Sequence, residues 1–339
     1  MTDHAPGEVM QVAPGLYRIS LPLPFPPRQV NAWLIEDGEG WLLVDTGHGT
    51  EATRALWEGI FATALRGRPI SRVLVTHFHP DHIGSAGWIC ARWKAPLLMP
   101  RSEWQRAWLL CMDDQQARVA QLVEFYRKAG SPQEHLDFLR ARGMLYARTV
   151  SPLPRTFRVI GEGDVLQVGG RDWRVMIGAG HAPEMACLWN AADGVLISAD
   201  HVLPRITPNI SVQPTEPAGD PLGVFLTALA RFRVLPDSAL VLPSHGEPFF
   251  GLHERIDYLI AHHEERLALL LEAAGRAGRV GLTVHDALGP IFTRPLDHAA
   301  LGFALSEAQA HLHHLTARNQ LMPSLDAAGI LRFVKPVVD

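Results

Sequence analysis

Six residues, His77-Phe78-His79-Pro80-Asp81-His82, place three imidazoles and a carboxylate on one short stretch directly after the apolar run Val73-Leu74-Val75. Neutral imidazole and carboxylate are donor types that suit zinc and related first-row cations. His77 and His79 are two residues apart, so an extended segment points both side chains the same way. Pro80 bends the chain, which lets Asp81 and His82 face a second ion beside the first. A histidine-rich surface loop without chemistry is the bland reading. It is set aside because other strand-like runs end in the same donors.

The run Trp173–Ile177 ends at Gly178-Ala179-Gly180-His181, Val195–Ala199 ends at Asp200-His201, and Ala239–Pro243 leads into Ser244-His245-Gly246. With the first motif in place, His181 is the natural third imidazole for an ion held by His77 and His79. His201 is adjacent to Asp200, points elsewhere and is not counted as a ligand. Further upstream, Gly15–Leu21 reads as a strand. Asn31–Glu36 and Trp41–Val44 read as a hairpin around Asp37-Gly38-Glu39-Gly40. This meander ends in Asp45-Thr46-Gly47, where a buried acid more often supports neighbours by hydrogen bonds than catalyses. Thr50 is placed to cap a helix over residues 51–66.

Taken together, these motifs resemble the metallo-β-lactamase superfamily over about residues 10 to 265, close to its glyoxalase II-like and β-lactamase-like members. That resemblance implies an α/β fold, an αββα four-layer sandwich. It implies that Asp200 bridges two ions, that His245 joins Asp81 and His82 on the second, and that Asp45 stands close to the metal loop. The expected cofactor is two divalent ions per chain. Zinc is the default for these donors, and iron or manganese suits the same set. Two such ions lower the pKa of a shared water, so a bridging hydroxide is the expected nucleophile, with Asp81 and Asp200 as the catalytic carboxylates.

The expected reaction is hydrolysis of a carbonyl substrate such as a thioester, a lactone or another ester or amide-like bond. A phosphodiesterase or ribonuclease of the same superfamily is the alternative. A mononuclear iron persulfide dioxygenase would not need Asp81, His82 and His245 together. A scaffold stabilised by metal would close its sites with four protein ligands. The basic residues expected of glyoxalase II, which grip glutathione, cannot be placed here.

Apolar residues are 47% of the 339, enough for a large core, and the net charge is −4 with no basic block. Bulk charge therefore does not suggest nucleic-acid binding, and a small molecule is the expected partner. No secretory segment or membrane span is read, so the expected location is the cytoplasm. Cys90, Cys111 and Cys187 are far apart and odd in number, which favours free thiols.

The expected domains are a catalytic one over 1–265, with a helical insertion at about 101–150, and a C-terminal helical, winged-helix-like one over 266–339. The aromatic residues of the insertion read as core. If the insertion covers the site, Tyr126 or Tyr146 is a candidate proton donor. Arg205 or Asn209, in a proline-rich stretch after Asp200, is a candidate substrate contact. The tail reads as helices over 283–288 and 306–318 and a strand over 330–334. His311, His313 and His314 are expected on a polar helix face, and the C-terminal domain as a homodimer contact or pocket wall.

Overall fold

The computed structural model describes residues 5–336. The chain forms two compact units. One comprises Met1–Asp113, Leu145–Pro208 and Phe232–His253, the other Asp114–Met144, Asn209–Arg231 and Glu254–Asp339.

In the first unit, seven strands line up in chain order: β1 (Val9–Ala13), β2 (Leu16–Pro22), β3 (Gln29–Asp37), β4 (Gly40–Val44), β5 (Ile70–Leu74), β6 (Leu97–Met99) and β7 (Arg158–Val159). The meander β1–β4 is antiparallel and the pairs from β4 to β7 are parallel. A second sheet has the order β12 (Leu240–Pro243), β11 (Val195–Ala199), β10 (Met185–Asn190), β9 (Arg171–Gly178), β8 (Val165–Val168). The period of two along β3 explains how the sheets face each other. Trp33 and Ile35 join Val168, Trp173 and Val175 in one core cluster. Ala32 and Leu34 turn the other way, toward Trp57 and Phe61 of α1 (Glu51–Thr63) and Ile89 of α3 (Ala86–Trp93). The result is the expected α/β sandwich.

Short connections hold the functional loops. α2 (Pro80–Ile83) is one turn carrying Asp81 and His82. A Cβ on Gly84 would lie 2.3 Å from the amide nitrogen of Gly49, and one on Gly87 would lie 2.0 Å from the carbonyl of Pro152, so both sites exclude side chains. Thr50 caps α1 as expected, but the helix stops at Thr63, and Arg66 takes a left-handed φ of 52° before Gly67. The insertion begins with α4 (Arg101–Met112), continues as α5 (Gln115–Lys128) and α6 (Gln133–Arg142) in the second unit, and ends with α7 (Tyr146–Thr149) in the first.

The second unit adds α8 (Pro221–Arg231), most of α9 (Leu252–Ala277), α10 (Leu288–Ile291) and α11 (His298–Ala317). It also holds a small sheet in the order β13 (Leu282–Thr283), β15 (Leu331–Val334), β14 (Met322–Leu325). The helix α9 runs without a break through position 265. The expected helix at 283–288 is instead a strand end and a turn, because Leu282 and Thr283 pair with β15 and the Thr283 hydroxyl bonds the Asp286 carboxylate. The last helix starts at His298, eight residues before expected, capped by the Asp297 carboxylate on the Ala300 N–H. No helix among the described residues is long and apolar enough to cross a membrane.

His311 and His314 are buried, contrary to the polar face expected for them. His314 Nδ1 donates to Asp220 at 2.9 Å. The Nδ1–H of His311 donates to the Glu307 carbonyl, so its Nε2 accepts from His263 Nδ1 at 3.0 Å, and the buried Nε2 of His263 is left bare. Burial, reinforced by the neighbouring imidazoles and Arg266, pushes His263 down to about 2. Burial likewise pushes His311 down to about 4. Both rings are neutral when folded, so their contribution is complete above the ordinary value of 6.5 and is lost as pH falls below it, since the unfolded chain then takes up the protons. The melting temperature should fall between pH 7 and pH 4, and His263→Gln should flatten part of that fall in calorimetry. An unchanged slope in the variant would refute this.

Candidate metal centre

Each candidate ligand follows the carboxyl end of a strand: His77, His79, Asp81 and His82 after β5, His181 after β9, Asp200 after β11 and His245 after β12. Three overlapping groups have their donor atoms within 4.8 Å of one another: His77, His79 and His181; Asp81, His82 and His245; and His77, His82 and Asp200. All seven expected residues therefore come together in the first unit. Nε2 of His77 is 3.0 Å from Nδ1 of His79. Asp200 Oδ2 lies 3.4 Å from His181 Nε2 and 3.5 Å from Nε2 of both His82 and His245. Asp81 Oδ2 is 3.4 Å from His245 Nε2.

The surroundings fix which nitrogen each ring presents. Asp45 accepts from His82 Nδ1 at 2.8 Å, and from the Thr76 amide and hydroxyl, each at 2.8 Å at its closest. His245 Nδ1 donates to the Gln29 carbonyl at 2.8 Å. Both rings thereby turn Nε2 toward the cluster, in the manner of metal-ligating histidines oriented by an acceptor behind them. Asp45 is thus the hydrogen-bonding support expected of it. Two non-glycine residues here take left-handed backbone, Asp45 with φ 61° and Ala199 with φ 48°. Each costs on the order of 1–2 kcal/mol.

Whether the cluster fits metal is answered by its bare atoms. His82 Nε2 and Asp200 Oδ1 are buried and make no hydrogen bond within the protein. Uncompensated buried donors of these types suit a cation. Burial, with His82 and His79 beside it, holds His77 well below the usual imidazole range. Burial and then His181 hold His79 down to about 3. Both are neutral, as ligation requires. On the other side burial opposes charge, but the carboxylates prevail: Asp81 and Asp200 lift His82 well above its ordinary value, and Asp200 first and then Asp81 lift His245 to about 10. The acidic side of the cluster calls for positive charge.

His201 is absent from these groups, its ring lying 4.6 Å from that of Phe232. The Tyr146 hydroxyl donates to the Phe78 carbonyl at 2.5 Å. That of Tyr126 is bonded to Gly302 and Ser306 in the second unit. Neither hydroxyl is therefore poised as the proton donor considered for it. Asn209 donates to the Glu307 carboxylate and accepts from the Ser211 hydroxyl. Cys90, Cys111 and Cys187 are free thiols. One residue escaped the sequence reading: Glu103, fully buried, accepts the backbone N–H of Phe78 and of Glu184. Burial lifts its carboxyl to about 7. An acid in the first turn after Pro100 is ordinary, and nothing local signals that it is buried.

Asp45→Asn replaces an acceptor of the His82 Nδ1–H with an amide that presents a donor in its place on one side. Chelator competition should show divalent-ion affinity falling about 10–100-fold, the usual effect of removing an orienting partner. Undiminished affinity would mean Asp45 does not orient His82.

The model of the metallo-beta-lactamase superfamily matches residues 25–245, and that of the metallo-beta-lactamase-like C-terminal domain matches 270–336. A crystal structure of a beta-lactamase domain protein from Burkholderia ambifaria superposes with a TM-score of 0.91 at 38% identity, covering 99% of this chain and 96% of that one. The probable metallo-hydrolase YqjP of Bacillus subtilis (strain 168) is 27% identical over 249 residues, 70% of this chain and 74% of the relative. A linear primary-alkylsulfatase of Pseudomonas sp. (strain ATCC 19151) is 25% identical over 74% of this chain, which spans 47% of that protein. The chain belongs to the metallo-beta-lactamase superfamily and is a metal-dependent hydrolase.

Proposed function

We propose that the protein is a dinuclear hydrolase acting on a carbonyl substrate, a thioester, lactone or related bond. His77, His79 and His181 hold one ion, Asp81, His82 and His245 hold the other, and Asp200 reaches both. The observation that carries this reading is the single Asp200 oxygen within 3.5 Å of imidazoles from both triplets. When bound, two dications supply Lewis acidity and bring the pKa of a water between them toward neutrality. Zinc is our default, since the donors are imidazole and carboxylate.

The chain's own residues complete the chemistry. His77 and His79 offer uncharged nitrogens, and Asp45 and the Gln29 carbonyl keep His82 and His245 turned inward. Asp81, ionised beside His82 and His245, is placed to orient a water and to take up or pass on its proton. No side-chain nucleophile is called for. Burial raises the Cys90 thiol to about 12 and raises that of Cys187 too, which leaves both inert. The Asp81, His82 and His245 group supports two ions over the one that a persulfide dioxygenase needs, and net charge −4 supports a carbonyl substrate over a nucleic-acid phosphodiester. We read 1–265 as the catalytic domain and 266–339 as a C-terminal domain that meets a second copy of the chain. The spans of the two matched models, 25–245 and 270–336, support the division.

Thioester, lactone, β-lactam, bis-phosphodiester and alkyl sulfate substrates test the proposal. Turnover of a carbonyl class is expected. Asp200→Ala should lose at least one ion and reduce kcat/KM by more than about 100-fold, beyond what an orienting partner contributes, while His201→Ala keeps both ions. Full activity with both ions in Asp200→Ala would refute the site, and turnover of the phosphodiester alone would refute the substrate class.

A further inference from the structure

The two peptide groups flanking Phe78, between His77 and His79, are held by the two ends of the insertion. The Phe78 N–H donates to Glu103 Oε2 at 3.0 Å, and the Phe78 carbonyl accepts from Tyr146 at 2.5 Å. The other oxygen of Glu103, Oε1, accepts the N–H of Glu184 at 2.6 Å, three residues past His181. A return contact runs from the Ser102 hydroxyl to Glu184 Oε2 at 2.5 Å, and the Arg106 guanidinium lies 5.0 Å over the Phe78 ring. Glu103 is 0% exposed.

A carboxylate is a costly occupant for such a place, which a leucine or methionine would fill without desolvating a charge. What the carboxylate adds is two acceptors in a fixed fork. Each takes a backbone N–H that lies outside the strands, one from either ligand-bearing loop. A three-histidine site assembled from two loops needs its donors held to within about 0.5 Å. We infer that Glu103 is a positioning residue that sets the spacing between the His77–His79 loop and the His181 loop, with Tyr146 fixing the following peptide through the Phe78 carbonyl. This rests on reading His77, His79 and His181 as the ligands of one ion.

Glu103→Gln preserves shape but has a single acceptor oxygen for two N–H donors, so one loop is released. The test titrates Zn2+ into ion-stripped full-length protein against a chromophoric chelator, and records the visible absorption of the Co2+-loaded form. Glu103→Gln should weaken one of two Zn2+ by about 10–100-fold, the effect typical of an orienting group, leave the other nearly unchanged and shift the Co2+ bands. The ion-free melting temperature should stay close to wild type. Tyr146→Phe, which removes only a hydroxyl, should act in the same direction and decides the matter if Glu103→Gln does not fold. Wild-type affinities and spectra in both variants would overturn the inference, as would loss of both ions in step with the melting temperature. His79→Ala separates the two levels. If it binds both ions normally, the ligand reading falls and the clamp with it; if it loses an ion while Glu103→Gln does not, the clamp alone falls.

Discussion

Burial of two carboxylates and five imidazoles at one point is the constraint on which the rest of this structure depends. Asp81, Asp200 and the five histidines cannot be solvated individually, and their unlike charges are too few to neutralise them in every protonation state. Crowding of this kind is tolerated where a cation completes it and where each ring is turned by a partner behind it. Asp45 does this for His82, and the Gln29 carbonyl for His245. Left-handed backbone at Asp45 and Ala199 marks the two strand ends where the chain turns sharply to bring such groups in.

The sandwich provides this at little cost because its strands end together. β4 runs parallel to β5, and β11 to β12, while β9 and β11 both pair antiparallel with β10. The carboxyl ends of β9, β11 and β12 thus share an edge of one sheet, and those of β4 and β5 an edge of the other. Loops from those ends carry all seven candidate ligands and Asp45, the placement by which open α/β sheets usually build sites. Glu103 and Tyr146 add a support from the insertion, which therefore contributes to the first unit through its two ends.

The clustering of the candidate ligands was legible in the sequence because each follows an apolar run, so local pattern and chemistry coincide at His77, His181, Asp200 and His245. Glu103 was not legible. Its partners are amides 25 and 81 residues away, and a backbone N–H leaves no trace in the sequence. The histidines of α11 were misjudged for a similar reason, since His263 and Asp220 bury them from other elements. β13 is two residues long and exists through its pairing with β15, some fifty positions on, which overrode the helical pattern of 283–288.

The most direct measurement is anomalous diffraction at the zinc absorption edge from crystals grown with Zn2+. The account requires two peaks, one among His77, His79 and His181 and one among Asp81, His82 and His245, with Asp200 between them. A single peak, or none at these residues, would contradict it.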